Sequence, residues 1–329
     1  MLTAEFRSVL EADGAVWSAS SPDAVRHFGN AAQELRSAMD GRAVCPVSNS
    51  VILRVTGKDR AKFLHNFCTS NISTLAAGDT CETFFPNVKA HVVAHGLISA
   101  GEQHHDILLL NSDGQTPWKH LSRYVISEDV DIQVLPDRCV FAVCGSQSSN
   151  VVGSLRDQSQ SVTDALFRTT WNDFPVSFVA GPVENASELW ARLLADGVTP
   201  AGEDILHHLR IQEGYPLIGI DLTTDHLAPE SGRIAQTISY QKGCYLGQEP
   251  IARLDALGHL NRQLYRATAR VRDSAPADAD LPQVTSASAV PRDTIPVLVC
   301  LPVRQVTGGQ PITARLPNGQ IVELQVNES

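Results

Sequence analysis

The sequence predicts an α+β protein that ends in a small antiparallel β unit, and three observations carry that reading. Strand-like and helix-like segments alternate along the chain, but strands come in neighbouring runs, which suits α+β better than a doubly wound sheet. The tail alternates apolar and polar residues over 264–271, 297–306 and 321–326, with Gly308-Gly309 and Asn318-Gly319 as turns. Asn-Gly between alternating segments is a strong hairpin signal, so a small barrel is expected there. No G-x-G-x-x-G follows the first strand and no G-x-x-x-x-G-K-[ST] occurs. Dinucleotides and nucleoside triphosphates therefore lose their sequence markers.

Taken in order, Ser21-Pro22-Asp23 offers an N-cap with proline in the first turn. Helical spacing then runs through Val25 and, after Gly29-Asn30, through Ala31, Leu35 and Met39, until Gly41 stops it. Residues 50–55 alternate as a strand ending at Gly57. Asp59 opens a helix whose apolar face is Phe63, Leu64 and Phe67. The apolar run 106–110 reads as a buried strand. Trp118, Leu121 and Val125 space as one helix face; 130–135 and 139–144 follow as strands about a Pro136-Asp137 turn. Cys139 and Cys144 lie near strand ends as small hydrophobes, the usual fate of free cysteine. Gly145-Ser146 leads into a helix carrying Val151, Val152 and Leu155. Strand 176–180 precedes a helix capped by Asn185, with Leu189, Trp190, Leu193 and Leu194 inward and Gly197 past its end. Ile205, Leu206, Leu209 and Gln212 mark another helix, ended by Gly214 and Pro216. Its adjacent His207 and His208 face different directions and make a poor ligand pair. The stretch 217–262 is rich in Gly, Pro and polar residues, and long loops in compact domains are usually functional. Residues 273–291 read as a surface excursion. The expected domains are 1–263, of two α+β subdomains that the chain can interleave, and 264–329, the barrel.

Bulk properties narrow the function classes. The chain has 329 residues and 43% hydrophobic content, enough for more than one packed core. A formal charge of −10 argues against a general nucleic-acid surface, which needs Lys and Arg against phosphates. Seven cysteines, an odd number without C-x-x-C or zinc spacing, point to a reducing compartment. The N-terminus has neither a signal peptide nor a basic transit pattern, and no apolar run reaches the ~20 residues of a membrane span. A cytoplasmic monomer without membrane or direct nucleic-acid contact is expected.

The chemistry concentrates in Lys242-Gly243-Cys244-Tyr245-Leu246-Gly247-Gln248-Glu249. Flanking glycines let the backbone turn or approach a ligand. Lys242, two residues before Cys244, can favour its thiolate, and Arg253 adds positive charge nearby. The bland alternative is a turn around a buried structural cysteine. With Lys, Gln and Glu around the thiol, the functional reading is preferred.

This octapeptide resembles the signature of the YgfZ family, folate-binding relatives of the glycine-cleavage T-protein. The resemblance continues through Arg210-Ile211, Glu213-Gly214, Pro216, Gly219, Asp221, Pro229-Glu230 and Ile238-Ser239-Tyr240, then Arg253, Gly258-His259 and Asn261-Arg262. A weaker likeness covers 55–59, 63–64 and 69–72. It implies an aminomethyltransferase-like fold: two α+β modules and a C-terminal barrel around a central cavity that holds tetrahydrofolate or a one-carbon derivative. It also implies Glu230 on the pterin edge, where a carboxylate can face an amino group and a ring N–H. Tyr245, Gln248, Glu249, Arg253, Asn87 and Lys89 complete the expected folate-binding set, with Cys244 and Lys242 as the catalytic candidates. Basic residues near the motif would suit folate's glutamate tail. Ala90 stands where the family prefers glycine.

Two branches of the resemblance differ in function. YgfZ relatives are accessory factors that sustain iron–sulfur client enzymes, including tRNA-modifying ones. The T-protein branch transfers a one-carbon unit from an aminomethyl-lipoyl carrier, lacks the motif cysteine and carries an acid pair. Cys244 is present here, and Ala94-His95 stand at the acid pair, which favours the accessory factor; His95 retains acid–base capacity near neutral pH. A ligand-free scaffold is the third hypothesis, and it requires Cys244 to be buried. His91 and His95, four apart, are expected as a hydrogen-bonded surface pair rather than a metal site.

Overall fold

The computed structural model of the chain describes residues 2–158, 162–171, 173–258, 260–272, 281–308 and 311–327. The chain forms two compact units, one of Met1–Phe63, Ile72–Glu82 and Gly96–His207, the other of Leu64–Asn71, Thr83–His95 and His208–Ser329. Residues 208–263 and the C-terminal sheet thus share the second unit.

In the first unit a five-stranded sheet runs in the order Ala165–Trp171, Phe174–Pro182, Arg138–Cys144, Ala43–Pro46, Thr199–Pro200. Phe141, Val143 and Val179 present one apolar face, as the two-residue period of a strand requires. Helices Ala4–Ala12, Ser148–Gln158 and Ala186–Ala195 cover it with Phe6, Leu10, Val152, Leu155, Trp190 and Leu193. The rings of Phe6 and Phe141 meet edge to face at 5.6 Å, a preferred aromatic geometry. A second sheet has the order Thr80–Pro86, Val92–Ala100, His105–Leu110, Ser50–Thr56, Asp131–Leu135. All six residues of His105–Leu110 are buried, the apolar run being Ile107 to Leu110. Strands Thr80–Pro86 and Val92–Ala100 each carry on from one unit into the other.

The C-terminal sheet is antiparallel, in the order Val284–Ala287, Ile295–Pro302, Arg262–Val271, Ile321–Val326, Ile312–Arg315. Its edge strands meet at a bridge between Gln283 and Arg315, where the Arg315 N–H donates to the Pro282 carbonyl at 2.9 Å. Closing the edges in this way removes unpaired backbone. Ala267, Val297, Val299, Leu301, Val322 and Leu324 fill the interior.

Several local expectations need correction. Val25–His27 is a strand rather than a helical turn, because Val25 enters the first unit's core. Asn30 does cap the following helix Ala31–Met39, its Oδ1 accepting from the Gln33 N–H. Asn185 stands at the N-cap of Ala186–Ala195 without a side-chain capping bond, since a 3₁₀ turn, Val183–Asn185, precedes it. The excursion at 273–291 contains strand Val284–Ala287, with Ser286 and Ser288 buried; residues 273–280 lie outside the described residues. The run at 297–306 ends as a strand at Pro302 and continues as helix Val303–Thr307. Of the expected turn Gly308-Gly309, Gly309 lies outside the described residues. Helix Ala4–Ala12 and strand Ala165–Trp171 were not anticipated.

Candidate functional site

The second unit assembles the motif from three pieces of chain. Helix Arg60–Phe67 ends within the segment His65 to Ser70, and its last turn leaves carbonyls without intrahelical partners. Lys242, only 7% exposed, reaches this end. Its ammonium donates to the carbonyls of His65, Cys68 and Ser70, the last two at 2.8 and 2.6 Å. The same Nζ lies 4.9 Å from the Tyr245 ring centroid, a cation–π distance. Thr69 and Ser70 hydroxyls donate to the Thr237 carbonyl at 2.6 and 2.8 Å, tying the segment to residues just before the motif. Lys242 therefore spends its donors on backbone oxygens rather than on the thiol. Burial, then the nearby Lys242 charge, pushes the His65 imidazole pKa below its usual value.

Cys244 and Gly243 are exposed, while Lys242 and Tyr245 on either side are buried. The thiol thus stands on a short bulge whose two feet are fixed. Burial, ahead of Tyr240 and Cys68, pushes the Tyr245 phenol pKa well above its ordinary value, so it stays neutral. Gln248 opens helix Gln248–Leu257, and its Oε1 accepts from the Tyr245 N–H at 3.4 Å. Glu249 lies exposed in that helix's first turn, where a carboxylate complements the helix dipole. Arg253 is exposed further along the helix.

The second piece is the turn at 87–91. Asn87 Oδ1 accepts from the Lys89 and His91 N–H groups at 2.8 and 3.1 Å, closing an Asx-type turn. Ala90 holds φ 65° although it is not glycine, a left-handed conformation that costs about 1–2 kcal/mol. Gly247, at φ 78°, packs on this turn; a Cβ there would come within 2.5 Å of the Asn87 carbonyl oxygen. The motif glycine and the turn are thus fitted to each other. Lys89 is exposed and makes only a backbone contribution within the turn.

The third piece is the segment carrying Glu230. His91 bridges Leu227, and the Val92 N–H donates to the His226 carbonyl at 2.9 Å, laying the segment along the start of strand Val92–Ala100. Glu230, 7% exposed, sits in the 3₁₀ turn Ala228–Ser231. Its Oε2 accepts from the Leu227 N–H at 3.0 Å, and Arg262 Nε lies 3.2 Å from both oxygens. These contacts use three of the roughly four acceptor positions of a carboxylate. About one acceptor position of Glu230 stays open beside Arg262.

Burial also gathers four charges, of which Arg210, Glu213 and Asp221 stand at resemblance positions and Arg233 does not. Arg233 donates to Glu213 Oε1 at 2.9 Å, and Arg210 to Asp221 Oδ2 at 2.9 Å, all four side chains being nearly fully buried. Asp221 also accepts from the Ser286 and Thr285 hydroxyls. The available signal was Arg210 and Glu213 three apart on helix Glu203–Glu213, beside its apolar face of Ile205, Leu206 and Leu209. The expected surface histidine pair is not formed. His91 bonds the Thr224 carbonyl through Nδ1, whereas His95 is buried, stacked 4.4 Å from Phe84 and tilted against Tyr215 at 4.4 Å, with Nδ1 on the Pro216 carbonyl. His207 and His208 do diverge: His208 is fully buried and His207 is not. His259 lies outside the described residues. Among the described residues no cluster of three or more His, Cys, Asp or Glu could hold a metal, and no helix is long and apolar enough to cross a membrane. A cavity of about 540 Å³ lies wholly within the first unit and is lined by none of the predicted site residues.

Comparison with known proteins converges on one family. The model of the GCVT N-terminal domain matches residues 2–180. A chloroplastic protein of Arabidopsis thaliana that carries the name of a transferase is 29% identical over 265 residues, 74% of this chain and 60% of that relative's length. A tRNA-modifying protein YgfZ from Vibrio vulnificus is 25% identical over 246 residues, 73% of this chain and 74% of the relative. The structure of glycine cleavage system aminomethyltransferase T from Bartonella henselae superposes with a TM-score of 0.76 at 17% identity, covering 98% of this chain and 96% of that one.

Proposed function

The chain belongs to the GCVT N-terminal domain family, and from that premise we propose that it binds a reduced folate through its second unit and acts as an accessory factor for iron–sulfur client enzymes, including tRNA-modifying ones. The observation that carries this reading is the exposed Cys244 between buried Lys242 and Tyr245, on a loop fitted to the Asn87–Ala90 turn. A scaffold with an inert, buried motif cysteine does not match that exposure.

Glu230 receives the pterin together with Arg262, and Asn87 and the motif loop border the same region of the unit. Tetrahydrofolate, when bound, supplies a carrier for a one-carbon group. The protein's part is to orient it and to present the thiol. Lys242 acts by holding the loop, since its donors go to the 65–70 carbonyls. One cysteine is too few ligands for a stable cluster, which normally takes four, so any cluster contact is shared with a client. The thiol instead binds iron transiently or accepts an adduct.

The alternative is one-carbon transfer of the glycine-cleavage type. It lacks a carboxylate at 94–95, and His95 there is enclosed by Phe84, Tyr215 and Pro216 rather than presented. Two assays decide. Client iron–sulfur enzyme activity in a strain lacking the protein is expected to return with wild type and not with Cys244→Ser. Full restoration by Cys244→Ser would refute the role of the thiol. Incubation with aminomethyl-lipoyl carrier and tetrahydrofolate is expected to release no ammonia; release at an ordinary enzymatic rate would establish the alternative.

A further inference from the structure

The cavity of the first unit has a floor and two charged ends. Strand Ala165–Trp171 and the residue before it put Asp164, Leu166 and Arg168 on the cavity wall at alternate positions, so they share a face. Val152, Leu155 and Val179 join Leu166 to make the apolar part of the lining. Of the other charges on the lining, Glu102 is exposed to solvent and Asp106 is already matched. Arg54 grips Asp106 through Nε and Nη2 at 2.8 and 2.9 Å, and His104 Nε2 lies 3.3 Å from the same carboxylate.

Apart from exposed Glu102, two groups on the strand wall remain unmatched. Asp164 Oδ2 accepts from Arg138 Nε at 2.8 Å, but its buried Oδ1 has no partner among the described residues. Arg168 uses its backbone N–H on the Thr80 hydroxyl, while its guanidinium has no partner among the described residues. A buried acceptor left without a donor is costly, about 1–3 kcal/mol, and an open guanidinium presents a planar fork suited to a carboxylate. Four positions along a strand span at most about 13 Å, and inward-leaning side chains shorten the gap.

We propose that this cavity binds a small zwitterion of the ω-amino carboxylate type. Its carboxylate lies on Arg168, its ammonium against the partly exposed Asp164 carboxylate, and a short alkyl spacer crosses Leu166 and Val179. The site is separate from the folate reading and stands or falls without it.

Calorimetric titration of the full chain with 6-aminohexanoate tests this, with hexanoate and hexylamine as single-charge comparators. Saturable binding is expected, and each comparator is expected to bind about tenfold more weakly or worse, as is 6-aminohexanoate to Arg168→Gln. Arg168 has no folded partner to lose, so the variant is expected to melt with wild type; should it unfold, Asp164→Asn supplies the same comparison. No saturable binding of 6-aminohexanoate would overturn the site. Equal affinity in the variant, or for hexanoate, would overturn the two-ended recognition.

Discussion

His208 shows how a single buried residue sets a property of the whole unit. It is fully buried with Nδ1 on the Ser288 hydroxyl at 2.7 Å. Burial, reinforced by Arg292, pushes its pKa down from 6.5 to about 4. Between these values the unfolded chain carries a proton that the folded chain excludes. Stability is therefore fully present above pH 6.5 and falls as pH drops toward 4, by up to about 3 kcal/mol. Denaturant melts from pH 7 to 4 check this: His208→Gln is expected to flatten that part of the profile, and an unchanged profile would refute the assignment. Lys242 is the other residue whose role follows from its surroundings. Lys242→Met strands three buried carbonyls and is expected to cost about 3 kcal/mol by urea unfolding. A loss under 1 kcal/mol would mean water replaces the ammonium there.

At the scale of the element, the motif loop depends on its two glycines unequally. At Gly247 a Cβ meets the Asn87 carbonyl at 2.5 Å in a left-handed backbone, whereas at Gly243 the nearest atom is His65 Nε2 at 3.9 Å. Gly247→Ala is expected to lower stability by about 2 kcal/mol or more, and Gly243→Ala by under about 0.5 kcal/mol. Thermal melts of the pair compare them directly, and equal losses would contradict the fit between loop and turn. Much of this element was legible in sequence: Gly, Pro and polar punctuation marked 217–262 as a functional loop, and the motif named its own residues. What periodicity could not show is where Lys242 points, because its partners lie in 65–70, far away in the chain. Helix Arg60–Phe67 and strand His105–Leu110 were readable because each buries a regular apolar pattern. The turn at Val25 was misread because a local proline cap was outweighed by a long-range core contact.

For the molecule as a whole, the units are discontinuous in sequence. Ile211, Leu222, Tyr245, Ile251 and Leu264 share one core with Phe84, Ala90 and Val92, which arrive from far upstream. A fragment of residues 208–329 therefore lacks part of its own core and the carbonyls that hold Lys242. Its expected circular dichroism shows no cooperative unfolding transition, and a sharp two-state melt would show that the upstream segments are dispensable. The α+β class and the closed C-terminal sheet followed from local patterns such as Asn318-Gly319. The interleaving did not, since no local signal reports which distant segments share a core.

Reduced folate binding is the claim on which the functional reading rests. Titration calorimetry of the full chain with 5-formyltetrahydrofolate, wild type beside Glu230→Ala, tests it most directly. The account predicts saturable one-to-one binding by wild type, weakened in the variant by about 1.5–3 kcal/mol, the worth of a charged hydrogen bond. Unchanged affinity in Glu230→Ala would remove that residue from the site. No saturable heat with wild type would contradict the account at its centre.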